Sequence, residues 1–121
     1  MKLTTPQANV LSQVARCQLF DLPFTRLQTG GSGYVSIKTL WSLLEKDVLA
    51  IHPDKRSPYT YVYYVVPAGP ALALLTELAE WQYGELFSYF DEAGVRYNPD
   101  AALSELRHMA FLHRFQKESK R

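Results

Sequence analysis

The chain has 121 residues, 47% of them hydrophobic and 21% charged, which is the size and balance of one ordinary globular domain and excludes a disordered chain. Thirteen Lys/Arg against twelve Asp/Glu leave a formal net charge of +1, which excludes a polybasic tail protein but permits a local basic patch. A single cysteine, Cys17, excludes an internal disulfide framework and a four-thiolate zinc site, and fits a reducing, cytoplasmic setting.

The segment Met1-Lys2-Leu3-Thr4-Thr5-Pro6 has no apolar core of the kind a secretory signal needs. Thr5 followed by Pro6 predicts a helix start, and Ala8, Val10, Leu11, Val14 and Ala15 carry an amphipathic helix to about Cys17. Asp21-Leu22-Pro23 breaks the chain, Phe24 to Gln28 is expected as a short helix, and Thr29-Gly30-Gly31-Ser32-Gly33 as a turn. Ser36 caps a second clear helix, whose Ile37, Leu40, Trp41, Leu44 and Val48 form one stripe expected to be buried. Lys38, Ser42 and Glu45 fall opposite that stripe, with Thr39 and Lys46 beside it.

A strand over Leu49 to His52, a polar loop over residues 53–58 and a strand over Tyr59 to Val66 predict a hairpin. Residues 57–76 carry no charge, but three prolines, four tyrosines and Gly69 argue against a membrane span. Pro67 is expected to open a helix through Leu72, Leu75, Ala79, Leu86 and Phe90 that ends near Gly94. Asn98-Pro99 predicts the start of a last helix carrying Leu103, Leu106, Ala110 and Phe115.

Helix–turn–helix followed at once by a β-hairpin is the layout of a winged helix. The segment Tyr34-Val35-Ser36-Ile37-Lys38-Thr39-Leu40-Trp41-Ser42-Leu43-Leu44-Glu45-Lys46-Asp47-Val48-Leu49 resembles the recognition-helix region of PadR-type and MarR-type regulators. Tyr64-Val65-Val66-Pro67-Ala68-Gly69-Pro70-Ala71-Leu72 is similar to the stretch in which their second wing strand passes into the dimerisation helix. The two stretches cover residues 34–72. Asp47 stands where those families usually have glycine in left-handed geometry, and Pro67 where they usually have a capping threonine. Residues 18–33 do not reproduce the family's second helix.

The expected fold is therefore mainly α with a β-hairpin wing (α+β): a winged helix-turn-helix over residues 1–68 and a C-terminal helical extension over 69–121. The resemblance implies a dimeric, non-enzymatic, cofactor-free protein that binds double-stranded DNA as a transcriptional repressor. Ser36, Lys38, Thr39, Ser42 and Lys46 would face the major groove, Lys55 and Arg56 at the hairpin tip would meet phosphates, and Arg26 and Tyr34 would touch backbone at the edges. Charge is unevenly spread. Residues 1–68 carry seven Lys/Arg and four Asp/Glu, residues 69–95 five acids and no base, and residues 96–121 six bases and three acids.

Trp81, Tyr83, Phe87, Tyr89 and Phe90 crowd five aromatics into ten residues. Trp81, Tyr83, Phe87 and Phe90 are expected at a homodimer surface, where ligand-responsive members of the resembled family place an apolar effector pocket. The alternative is a winged-helix adaptor or inhibitor that works by protein contact, as in phage and mobile-element accessory proteins. His52-Pro53-Asp54-Lys55 matches the tetrapeptide with which J-domain co-chaperones engage their partner, but that motif needs helices on both sides and a strand follows here. Gly30-Gly31-Ser32-Gly33 lacks the Gly-Lys-Ser/Thr of a phosphate loop. His108 and His113, five apart, do not share a helix face as a metal pair would.

Overall fold

A computed structural model describes residues 2–30 and 35–119, which form an α+β fold of five helices and a three-strand antiparallel sheet. In chain order the elements are α1 (Thr5–Leu19), β1 (Thr25–Gln28), α2 (Ile37–Glu45), β2 (Leu49–Ile51), β3 (Val62–Pro67), α3 (Gly69–Ala79), α4 (Tyr83–Ala93) and α5 (Leu103–Ser119). No helix among the described residues is long and apolar enough to cross a membrane.

The start of α1 is a reciprocal cap one residue earlier than Thr5: the Gln7 backbone N–H donates to Thr4 Oγ1 at 3.3 Å, and the Thr4 N–H to Gln7 Oε1 at 2.9 Å. The short helix expected over Phe24 to Gln28 is instead β1. Its Thr25 and Leu27 are buried while Arg26 between them is exposed, a period of two that suits a strand and not a helical turn. β1 pairs with β3 (Thr25↔Val65 through Gln28↔Val62), and β2 pairs with the other edge of β3 (Leu49↔Pro67 through Ile51↔Val65), giving the order β1-β3-β2. β3 begins at Val62, three residues later than expected, because Tyr59 to Tyr61 belong to the loop.

The single long helix expected from Pro67 to Gly94 is two helices. At the break, Gln82 and Glu85 cap each other reciprocally, and the Trp81 carbonyl accepts from Arg107 Nε at 3.0 Å and Nη2 at 2.9 Å. A guanidinium from α5 thus satisfies a carbonyl that a continuous helix would have used internally. Gly94 ends α4 in left-handed geometry at φ 69°, as its position predicts. Asn98 does not start α5: its Oδ1 accepts the Asp100 N–H at 3.0 Å in a turn, and the helix begins at Leu103.

The core is one continuous cluster drawn from both parts of the chain. Val10, Leu11, Val14 and Ala15 of α1 meet Leu40 and Leu43 of α2, Leu27, Leu49 and Val65 of the sheet, and Leu74, Leu75, Leu78, Leu86, Phe90, Leu106 and Phe111 of the later helices. Each fully buried Leu or Phe contributes about 1.5–3 kcal/mol over leaving it in water. α5 packs along α1 and α3.

Beside that apolar contact, α5 is clasped to α1 by His108. Its Nε2 lies 3.1 Å from the Ser12 carbonyl and 3.2 Å from the Ser12 hydroxyl. A carbonyl only accepts, so Nε2 carries the proton and the neutral ring suffices for the bond. Burial pushes the His108 pKa below the ordinary histidine value, and the nearby Arg16 guanidinium lowers it further, against opposing contributions from the Ser12 carbonyl and Glu105. The folded protein therefore takes up this proton less readily than the unfolded chain does. No penalty exists well above pH 6.5, and stability falls as pH drops through that value. Urea unfolding at about pH 7.5 and about pH 5.5 checks this: His108→Gln is expected to narrow the wild-type difference, and an unchanged difference would assign it to other groups.

Candidate nucleic-acid interface

Two neighbouring elements, α2 and the β2–β3 loop, carry most of the residues expected to touch DNA. α2 is seated on α1 by Leu40 and Leu43, both wholly buried, and by a polar clasp. Gln7 Nε2 donates to Ser42 Oγ at 2.8 Å, and that hydroxyl donates in turn to the Thr39 carbonyl at 2.8 Å. The Ser42 hydroxyl is therefore engaged inside the α1–α2 contact, which corrects its expected place on the outward face. Thr39 is half-buried and, with Ser36, borders a groove of about 510 Å³ against Pro6, Asn9 and Gln13 of α1. Lys46 is half-buried at the end of the helix. Tyr34 lies outside the described residues.

The outward face of α2 is made of Ile37, Lys38, Trp41 and Glu45. Ile37 and Trp41 were expected in the buried stripe; they are 39% and 51% exposed, and Leu43 is buried instead. The core face of the helix is thus rotated toward Leu40, Leu43 and Leu44. Lys38 is exposed and has no hydrogen bond or ion pair among the described residues.

At the other element, Asp47 ends α2 with φ 56°, the left-handed geometry expected where the resembled families have glycine. The chain passes straight into β2 and then into the loop. There the Asp54 N–H donates to His52 Nδ1 at 3.1 Å, so the neutral ring holds its proton on Nε2. His52-Pro53-Asp54-Lys55 lies between two strands, without the flanking helices the co-chaperone motif requires. Lys55 Nζ sits over the Phe24 ring at 5.6 Å and the Tyr64 ring at 5.3 Å, and Phe24 meets both Tyr64 and His52 edge-on. Arg26 is directly opposite Tyr64 in the sheet, so both belong to the same sheet face. Arg26 and Arg56 are exposed and unpaired among the described residues.

The ion pairs Arg16–Glu105 at 2.7 Å and Arg114–Glu77 at 3.0 Å both involve α5. Lys38, Lys55 and Arg56 thus form no ion pair among the described residues, although Glu45 lies on the same face of α2 and Asp54 in the same loop.

The C-terminal aromatics mostly pack on one another. Phe90 is wholly buried in the core and is not available at any surface. Phe87 stacks on Tyr97 at 5.0 Å and leans on Tyr83 at 5.7 Å, while Trp81 meets Tyr89 edge-on under the Arg114 guanidinium. Tyr83 is 41% exposed. A groove of about 730 Å³ along α4 is bordered by Trp81 and Tyr89 but also by Glu85 and Glu92, a lining less suited to an apolar effector than the resemblance implies.

The chain finds no match among protein-family models, curated proteins or solved structures.

Proposed function

We propose that the protein binds double-stranded DNA as a winged helix, with α2 as the recognition helix and the β2–β3 loop as the wing, and that it acts as a transcriptional repressor. The observation that carries this reading is that Lys38, Lys55 and Arg56, on the outward helix and the hairpin that follows it, are exposed and form no ion pair among the described residues. The order α1-β1-α2-β2-β3 and the sheet order β1-β3-β2 support it. Residues 25–28, where a first motif helix was expected, are strand, so α1 is the element that backs α2.

The reading set changes with the geometry. Lys38 donates to guanine, Glu45 accepts from cytosine, and Ile37 and Trp41 supply apolar contact to thymine methyls. Lys55 and Arg56 hold phosphates. So few cations bind weakly singly, and a homodimer that reads two half-sites about one helical turn apart is the working form. Leu72 and Tyr83, exposed apolar side chains of α3 and α4, are available for that contact.

Fluorescence anisotropy of the full chain with a random-sequence duplex, titrated from low to moderate salt, tests the proposal. Binding that weakens steeply with salt is expected. Lys55→Ala combined with Arg56→Ala is expected to weaken all sequences alike and to reduce the slope of log K against log salt by about 2. An unchanged slope removes the wing from the mechanism, and no binding at low salt overturns the reading.

Exposed Trp41 and Ile37 favour a second reading, an adaptor that holds another protein on the same helix. In that case neutralising Lys38, Lys55 and Arg56 leaves partner binding intact, and Trp41→Ala abolishes it.

A further inference from the structure

A cavity of about 660 Å³ opens on the β2–β3 loop, and His52, Lys55, Arg56, Tyr59, Tyr63 and Tyr64 are among the residues around it. Among the described residues no carboxylate lines it; Asp54, between the lining residues Pro53 and Lys55, is the acid of the same loop. Tyr59 and Tyr61 are 56% and 44% exposed, with ring centroids 5.4 Å apart. Exposed rings on a loose loop would be unremarkable in a soluble domain, but this loop is pinned. The Tyr59 N–H donates to Ser57 Oγ at 3.0 Å, and the Tyr61 carbonyl accepts from both the backbone N–H of Thr29 at 2.8 Å and its hydroxyl at 3.2 Å. At the other end, Lys55 is held over Phe24 and Tyr64 with no carboxylate partner.

Exposed rings on a backbone tied at two points, beside two cations that outnumber the loop's single acid, Asp54, match the requirements of one ligand chemistry. An unstacked nucleobase presents a π-face to an aromatic ring, and its phosphate takes the cation. A base inside a duplex cannot do this, because its neighbours cover both faces. We propose that the β2–β3 loop is a stacking site for unpaired nucleotides of single-stranded DNA, with Tyr59 receiving a base and Lys55 and Arg56 the flanking phosphates. This goes beyond the duplex reading and shares only Lys55 and Arg56 with it: Lys38 and the rest of α2 take no part.

The test uses the full chain at low salt with two fluorescein-labelled probes, a short oligothymidylate and a random-sequence duplex. The oligothymidylate is expected to bind. Tyr59→Ala is expected to weaken it by about five-fold or more, the lower end for one base on one ring, while leaving the duplex affinity unchanged. Tyr59→Phe keeps the ring and is expected to keep the affinity. The side chain is exposed, so neither variant threatens folding. Absence of oligothymidylate binding overturns the proposal, as does equal affinity of the wild type and a Tyr59→Ala, Tyr61→Ala double variant. Duplex binding kept while the oligothymidylate fails sinks this proposal alone. The opposite pattern sinks the duplex reading alone.

Discussion

Gly69→Ala is expected to destabilise the protein by about 3 kcal/mol or more, lowering the thermal midpoint by about 10 °C. Gly69 opens α3 at φ 50°, a geometry that costs an L side chain about 1–2 kcal/mol by itself. The larger part comes from what stands next to it. A Cβ there would lie 2.2 Å from the Asp47 carbonyl oxygen and 3.1 Å from its Oδ2, and a backbone carbonyl cannot step aside as a flexible side-chain end could. The same junction is tied by the Ala68 N–H, which donates to the Val48 carbonyl at 3.0 Å. The end of α2 and the start of α3 are therefore locked together through residues 47–48 and 68–69.

Gly94 separates the two contributions. Its φ is 69°, yet nothing lies within 4 Å of a Cβ built on it. Gly94→Ala is expected to cost only the conformational part, about 1 kcal/mol. Thermal unfolding followed by circular dichroism, with both variants side by side, decides the matter. Equal losses would mean that the Asp47 carbonyl does not press on Gly69.

That junction also shows why some features could be read from sequence and others could not. Asp47 in left-handed geometry and Gly94 ending α4 follow from chemistry within a turn of the chain, and each is where the residue type places it; Ser36 stands at the N-cap of α2 as expected, but its side chain makes no capping hydrogen bond. β1 is different. The sequence Thr-Arg-Leu-Gln is too short for its period to speak, and only pairing with β3, more than thirty residues on, makes it a strand. The break between α3 and α4 is hidden for the same reason: the apolar series runs on through Trp81, and the group that stabilises the break, Arg107, lies on α5.

The face that α2 turns outward bears most on function. Ile37, Leu40, Trp41 and Leu44 satisfy helical spacing, but so do Leu40, Leu43 and Leu44. In the fold Leu40 and Leu43 are the buried pair, Ser42 accepts from Gln7 of α1 on that side, and Ile37 and Trp41 are left outward. Ser42 is thus part of the α1–α2 packing, and Ile37 and Trp41 are part of the outward surface. The partner of Ser42 lies on another helix, thirty-five residues earlier in the chain, so the local sequence gives no warning of this.

Phe90→Ala carries the other large expected effect, about 3–5 kcal/mol of stability lost. The ring is wholly buried, with Tyr97 at 5.2 Å and Tyr89 at 5.7 Å between centroids, and it sits in the same cluster as Leu86 and Phe111. Truncation removes those contacts and leaves a void that the surrounding packing closes only in part. Tyr83→Ala, at the exposed edge of the same aromatic row, is expected to cost less than about 1 kcal/mol. Urea unfolding measures the first quantity and sedimentation velocity supplies the contrast. If the aromatic row serves mainly to close this chain's own core, Phe90→Ala lowers the unfolding midpoint while the folded fraction keeps the wild-type association state. If Tyr83 contributes to the proposed dimer contact, Tyr83→Ala shifts association with little change in stability. A Phe90→Ala variant as stable as wild type would contradict the buried position of the ring and, with it, the joining of α4 to the core formed by α1, the sheet and α5.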